Sequence, residues 1–237
     1  MGLTQMSARA AIIAPKGCRL PIRLFRAKNE PSTNEGFSTM IQLYWSPRSR
    51  SFTCLWLMEE TGLPYERVLT DISTGAQKAP EFLKINPMGK VPGLKDDKVA
   101  LGETSAICVY IADRYPETKL APALNDPKRG RYLQWLFFLP SCVEPALIQI
   151  FTKLEVPAST AAWGSATQVF DVLDAELQRG PWILGEDFSA ADVAIGSGLN
   201  YAVRLFKMVP SRTSFEDYIA RCAARPAFKR AEGIAAG

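Results

Sequence analysis

The sequence predicts an α/β domain over residues 40–116, in the element order β-α-β-α-β-β-α, followed by an all-α domain over residues 131–237. Three observations predict it. Between residues 40 and 116, short apolar runs alternate with segments of helical periodicity. After residue 130, every apolar pattern has helical spacing. Between the two, ETKLAPALNDPKRG (117–130) is rich in proline and charge and reads as a linker. The chain has 237 residues, 47% hydrophobic and 22% charged, enough to bury a substantial core.

Residues 1–39 mix Pro, Gly, Ser and Asn with basic residues and lack sustained periodicity, so they are expected to be a disordered extension. Two readings are open for them. One is a stretch upstream of a true start at Met40; the other is an acid-poor, Arg-containing targeting presequence. The first is favoured because Met40 directly precedes the first strand.

Residues 40–45 (MIQLYW) read as a short buried strand, broken by Pro47 in the turn SPRSRS. A helix follows over 51–61, with Phe52, Leu55, Trp56 and Glu59 on one face, ending at Gly62 ahead of Pro64. YERVLTD (65–71) is a second strand, and a short helix or turn is expected at 79–84. NPMGKVPGL (86–94) is a loop leading into a strand. Val91–Leu94 and Val99–Leu101 read as a hairpin, although Asp96 and Asp97 are not the residues of the tightest turn. Gly102-Glu103-Thr104 opens a helix that ends near Tyr115 and is stopped by Pro116. Further helices are expected near 128–150, 159–179, 189–206 and 214–223. No uninterrupted apolar run reaches the ~18 residues of a membrane span, so no membrane partner is expected.

Composition excludes several chemistries. There is no histidine, which removes Ser-His-Asp and Cys-His catalysis, His-ligated zinc and imidazole bases. Cys18, Cys54, Cys108, Cys142 and Cys222 are scattered, odd in number and form no CxxC. They read as reduced, mostly buried thiols in a reducing, cytoplasmic compartment. No metal site is indicated, and no Gly-rich phosphate loop follows a strand, so no nucleotide is expected. Residues 1–39 carry Arg9, Lys16, Arg19, Arg23, Arg26 and Lys28 against Glu30 and Glu35, so the whole net charge of +4 lies there. The rest of the chain is neutral, which argues against nucleic acid as a partner.

Four blocks, in order, resemble the soluble glutathione transferases: SPRSRSFTCLWLMEETGLPYE (46–66), INPMGKVPGL (85–94), GETSAICVYIADRYP (102–116) and WILGEDFSAADVAIGSGL (182–199). The resemblance covers nearly all of residues 40–230 and is to bacterial members that use serine rather than tyrosine. It implies a thioredoxin-like, glutathione-binding domain on a mixed four-stranded sheet at 40–116. It also implies an all-helical domain that lines a second-substrate pocket, and a homodimer.

Glutathione chemistry needs a thiolate near pH 7, whereas a free thiol has a pKa of about 8.5. Lowering it by about 2 units requires about 2.7 kcal/mol of preferential thiolate stabilisation. A hydroxyl donor and a helix N-terminus can supply that without a general base. Ser46, Ser49 and Ser51 all lie between the first strand and first helix; Ser49 best matches the serine of related members, with Ser46 and Ser51 as alternatives. Arg50 stands where some bacterial members place a cysteine, and its guanidinium could also favour a thiolate. Local sequence alone would make these ordinary turn and cap residues.

The resemblance further implies that the Val91-Pro92 bond is cis and that the Val91 backbone pairs with the cysteinyl unit of glutathione. Lys90 would reach the glycine carboxylate, or be an ordinary exposed loop lysine. Glu103 would accept from the γ-glutamyl ammonium, and Thr104 with the free helix N–H groups would bind its carboxylate. Ser189 and Asp192 form an S-x-x-D capping box with Phe188 before it, a structural feature. Tyr132, Trp135, Phe138 and Leu139 recur at helical spacing and face either the second-substrate pocket or the core. The function implied is conjugation of glutathione to small hydrophobic electrophiles, a detoxification chemistry. The alternatives are a glutathione-dependent peroxidase or isomerase on the same scaffold, or a non-catalytic ligand-storage or interaction module.

Overall fold

The IQLYW segment forms a central strand because its alternate residues turn one apolar face to the core. Ile41, Leu43 and Trp45 are buried on one face of β1 (Ile41–Trp45). The computed structural model describes residues 40–157 and 159–237, so the expectations for residues 1–39, Cys18 included, lie outside the described residues. After β1 come α1 (Phe52–Thr61), β2 (Tyr65–Leu69), α2 (Pro80–Leu83), β3 (Gly93–Asp96), β4 (Val99–Leu101) and α3 (Thr104–Arg114). This is the predicted β-α-β-α-β-β-α order.

The sheet is mixed and four-stranded, in the order β2-β1-β3-β4. β1 and β2 are parallel, with Leu43 opposite Arg67; α1 is the crossover that parallel pairing requires. β3 is antiparallel to β1, with Leu43 opposite Leu94, and β4 is antiparallel to β3. Two local expectations are corrected. β3 begins at Gly93 rather than Val91, because Pro92 has no N–H for the ladder. The hairpin is tight after all: Asp96 pairs with Val99, and Asp97 takes a φ of 52° in the turn. Aspartate tolerates that left-handed conformation better than most residues. As expected, Gly62 closes α1 at a φ of 66°.

The second half is helical. α4 (Lys128–Phe138) runs through a π-helical segment, Leu139–Val143, into α5 (Glu144–Thr152). α6 (Ala166–Leu177) starts later than the expected 159, where the Ser165 side chain accepts from Gln168 N–H. α7 (Ala190–Leu199) continues into a second π-helical segment, Asn200–Leu205. α8 (Thr213–Ala224) follows. α9 (Pro226–Ala236) is an addition to the expected helices; its signal was Pro226, suited to a first helical position.

The stretch Lys128–Thr152 contains an 18-residue window of mean hydropathy 1.4, long and apolar enough to cross a membrane by length and composition, with 33% of the window buried. Counting uninterrupted apolar runs misses it, because Gln134, Ser141 and Glu144 break the run. Its buried side supplies Tyr132, Trp135, Leu136, Leu139, Val143, Ala146 and Leu147 to the protein core.

Both halves share that core. Leu43, Trp56 and Leu94 join one cluster with Leu136, Ile195, Tyr218 and Phe228. α7 is buried along all ten residues, as expected of a helix apolar all round. α1, which carries the serine turn at its start, is held from the other end. Glu60 accepts from Arg225 at 2.6 and 2.8 Å and from Trp56 Nε1 at 2.8 Å, while the Arg225 guanidinium lies 3.4 Å from the Phe188 ring centroid.

α7 approaches α1 and α8 closely at Gly196. A Cβ there would lie 2.6 Å from Cys222 Sγ and 3.3 Å from the Trp56 ring, both buried. Gly196→Ala is expected to destabilise the fold by about 1–3 kcal/mol through overpacking. Chemical denaturation checks this, and Cys222→Ala in the same chain should recover part of the loss.

Candidate functional site

Register brings three sequence blocks to one end of the sheet. β1 ends at Trp45 and passes into the serine turn. Tyr44, near that end, pairs with Gly93, so the loop before β3 opens beside the turn. Leu101, the last residue of β4, pairs with Leu94, so Gly102-Glu103-Thr104 emerges at the same end. α1 and α3 both start there, and their aligned peptide dipoles place partial positive charge at these ends.

In the serine turn the hydroxyls bond to one another. Ser49 Oγ lies 2.7 Å from Ser46 O and 2.6 Å from Ser51 Oγ. Ser51 Oγ lies 2.9 Å from Ser46 O and accepts from Ser46 N–H at 3.0 Å. Ser51 has no side-chain capping bond to α1, so the simple N-cap alternative does not describe it. Ser46 and Ser51 are 3% and 0% exposed, whereas Ser49 is half-buried.

Arg50 leaves this turn toward the helical half. Its Nε and Nη2 donate to the two carboxylate oxygens of Glu144, each at 2.6 Å, and its guanidinium lies 3.9 Å from the Tyr201 ring centroid. Tyr201 in turn packs on Phe206, with centroids 4.2 Å apart. Glu144 directly follows the first π-helical segment and Tyr201 sits in the second. Such segments occur frequently at functional sites. Sequence reasoning missed both partners.

The second block is fixed by Asn86, whose side chain donates to Lys90 O at 2.7 Å and accepts from Met88 N–H at 3.1 Å. The Val91-Pro92 bond is cis, as the family resemblance implied. Among the described residues, the Val91 N–H and C=O have no hydrogen-bond partner. Lys90 is exposed at the rim. Gly102 lets this loop close against the start of α3, because a Cβ there would collide with the Asn86 amide.

At the third block, Glu103 is exposed and holds a φ of 64° with a ψ of 115°. That backbone is unfavourable for a residue with a Cβ, costing about 1–3 kcal/mol. Its side chain makes no capping bond to α3, so the N–H groups at the helix start have no cap. Thr104 begins the helix, and Ser105 Oγ ties it to Leu136 O at 2.9 Å.

Tyr132 and Trp135 lie in the core at 0% and 3% exposure; Phe138 keeps a half-buried ring, 4.9 Å from Trp135. Ser189 and Asp192 form the expected capping box at the start of α7. Asp192 also accepts from Ile183 N–H at 2.8 Å and Tyr218 O–H at 2.7 Å.

Residues 40–113 match the family model for the glutathione S-transferase N-terminal domain, and residues 156–229 match that for the C-terminal domain. The chain belongs to the glutathione transferase family. Over 201 residues it is 29% identical to the disulfide-bond oxidoreductase YfcG of Escherichia coli (strain K12), covering 79% of this chain and 92% of that one. It is 34% identical to glutathione S-transferase hmp2 of Hypomyces subiculosus, over 65% of this chain and 78% of that one. Among solved structures, a glutathione transferase family member from Pseudomonas fluorescens Pf-5, crystallised with two glutathione molecules bound, superposes with a TM-score of 0.70 at 27% identity. That match covers 81% of this chain and 92% of that one.

Cys54, Cys108 and Cys222 are buried and reduced, and burial pushes the Cys108 thiol up to about 12. Among the described residues, no group of His, Cys, Asp and Glu could hold a metal ion.

Proposed function

We propose that this chain binds glutathione at the end of the sheet where the three blocks meet, and activates its thiol for attack on small hydrophobic electrophiles. The observation that carries the reading is their convergence beside the N-termini of α1 and α3. Glutathione presents an ammonium and carboxylate at one end, a peptide in the middle and a thiol at its branch. Glu103 accepts from the ammonium, while Thr104 and the uncapped α3 N–H groups take the neighbouring carboxylate. The free Val91 N–H and C=O pair with the cysteinyl backbone, and Lys90 meets the glycine carboxylate.

Ser49 donates to the sulfur, being the one serine of the three that is not buried. The α1 N-terminus adds favourable potential for the thiolate, while Arg50, paired with Glu144, anchors the turn beside it. Phe138 and Tyr201 border the electrophile. Residues 40–116 thus form the glutathione domain, 117–130 the link and 131–237 the helical domain that completes the pocket.

A second reading is disulfide reduction: the same glutathione thiolate attacks one sulfur to form a glutathione mixed disulfide as the other sulfur leaves as a thiol, and a second glutathione resolves the mixed disulfide to oxidised glutathione and the second thiol. It is favoured by the likeness to a disulfide-bond oxidoreductase and by the two glutathione molecules held by a structural neighbour. It requires no protein cysteine, because glutathione itself is the nucleophile. Glutathione-agarose retention, conjugation of a chloronitrobenzene and reduction of hydroxyethyl disulfide separate the cases. Conjugation is expected. Disulfide turnover alone would move the assignment to the second reading, retention without either turnover to a storage or interaction role, and failure to be retained would sink both.

A second copy of the chain is the proposed partner, since Phe137, Ile148, Phe151 and Leu154 leave an apolar row exposed along and just beyond α4 and α5. Sedimentation at micromolar concentration should show a dimer. The reduced cysteines fit a cytoplasmic setting, which fractionation of the tagged protein checks.

A further inference from the structure

We infer that Ser51, fully buried and out of reach of any ligand, is a positioning residue whose hydroxyl donates to Ser49 when the Ser49 hydroxyl turns from Ser46 O to the glutathione sulfur, and so strengthens that outward bond. The inference rests on the proposed thiolate chemistry and deepens it.

The hydroxyl protons of the turn set the direction of its bonds. Ser46 O, Ser49 Oγ and Ser51 Oγ form a triangle with sides of 2.7, 2.9 and 2.6 Å. Each side is a hydrogen-bond length. Only two hydroxyl protons are available for three sides, so one side is always without a proton. Two backbone donors fix the acceptors: Ser46 N–H points to Ser51 Oγ at 3.0 Å, and Ser51 N–H to Ser49 Oγ at 3.2 Å.

When Ser49 turns its proton outward to a sulfur, the triangle retains only the proton of Ser51. That proton has two destinations. On Ser46 O, at 2.9 Å, it would leave the two hydroxyl oxygens facing each other, lone pair to lone pair, across 2.6 Å. On Ser49 Oγ it bridges the shortest side. The chain then runs Ser51 O–H to Ser49 Oγ, and Ser49 O–H to sulfur. A hydroxyl that accepts a hydrogen bond becomes a stronger donor, by roughly 10–30% per bond. Ser49 then accepts from both the N–H and the O–H of Ser51, and its own proton has two acceptors, Ser46 O at 2.7 Å when the site is empty and the sulfur when glutathione is bound.

The test is the pKa of the glutathione thiol bound to the whole chain, read from thiolate ultraviolet absorbance against pH. Wild type is compared with Ser49→Ala, Ser51→Ala, the double variant and Ser51→Thr. Ser51→Ala is expected to raise the bound-thiol pKa by about half a unit, and Ser49→Ala by about one to two units. In the Ser49→Ala background, Ser51→Ala should add nothing, because the relay has lost its end. Ser51→Thr keeps the hydroxyl and should return the wild-type value.

A second readout separates the relay from a local collapse of the turn. Loss of the relay lowers affinity for glutathione relative to S-methylglutathione, which has no thiol to ionise; a collapsed turn lowers both in proportion. Additive shifts in the double variant, or a Ser51→Ala thiol indistinguishable from wild type, would overturn the relay while leaving the thiolate reading intact. A wild-type bound thiol no more acidic than free glutathione would overturn both.

Discussion

Asp192→Ala is expected to lower the stability of the fold by about 3–5 kcal/mol near pH 7 and its Tm by about 10 °C, with little change in the glutathione affinity of the folded protein. The carboxylate sits at the start of α7 with no exposed surface. It accepts from Ser189 N–H at 2.8 Å, Ser189 O–H at 3.1 Å, Ile183 N–H at 2.8 Å and Tyr218 O–H at 2.7 Å. Losing an ordinary helix cap costs about 1 kcal/mol. Here alanine would also orphan donors from three separate elements in the protein interior, each at about 1–3 kcal/mol.

The pH dependence follows from the same burial. Desolvation pushes the Asp192 carboxyl from 3.8 up to about 6, against the pull of its four donors. A raised folded-state pKa means that the folded protein binds the proton more tightly. This contribution is therefore full below about pH 4 and is lost as pH rises through about 6. The gap between wild type and Asp192→Ala should be wider at pH 5 than at pH 7 by about 1 kcal/mol. Urea titrations at the two pH values measure it. A gap that instead widened toward pH 7 would show that the four donors outweigh desolvation.

Features written in local chemistry were legible in the sequence. Pro47 ends β1, Gly62 ends α1, and the Ser189–Asp192 spacing announces the α7 cap that the structure holds. The three glutathione blocks were recognisable as residues, but their convergence depends on strand register, which no single block encodes. The Arg50 contacts were out of reach for the same reason. Glu144 and Tyr201 are brought to Arg50 by two π-helical segments, and a one-residue change of helical phase has no local spelling. Periodicity placed Tyr132 and Trp135 on one face of a helix without saying which neighbour that face meets; α4 turns both into the core. The expected helices stopped at residue 223 and so missed α9, whose Phe228 packs on Trp56 from far away in the sequence, centroids 4.9 Å apart.

Glu103→Gly is expected to weaken glutathione binding by about 10–100-fold while leaving the melting temperature unchanged or raised. The affinity loss is that of a charge-assisted hydrogen bond to the γ-glutamyl ammonium, about 1.5–3 kcal/mol. The stability gain comes from the backbone. Glycine adopts a φ of 64° without the Cβ clash that Glu103 bears, which recovers part of about 1–3 kcal/mol and exceeds or matches the entropic cost of glycine, about 0.5–1 kcal/mol. Glu103→Ala separates the two effects, since it removes the carboxylate but keeps the Cβ. It should bind glutathione as poorly as the glycine variant and gain no stability. Calorimetric titration and thermal melts read the two quantities independently. A glutathione analogue without the γ-glutamyl amino group provides the control, because its affinity should respond far less to either substitution. Equal losses for the analogue and for glutathione would mean that Glu103 shapes the start of α3 rather than meeting the ammonium. A glycine variant that melts lower than wild type would mean that neighbouring contacts, and not the ligand, account for the strained backbone.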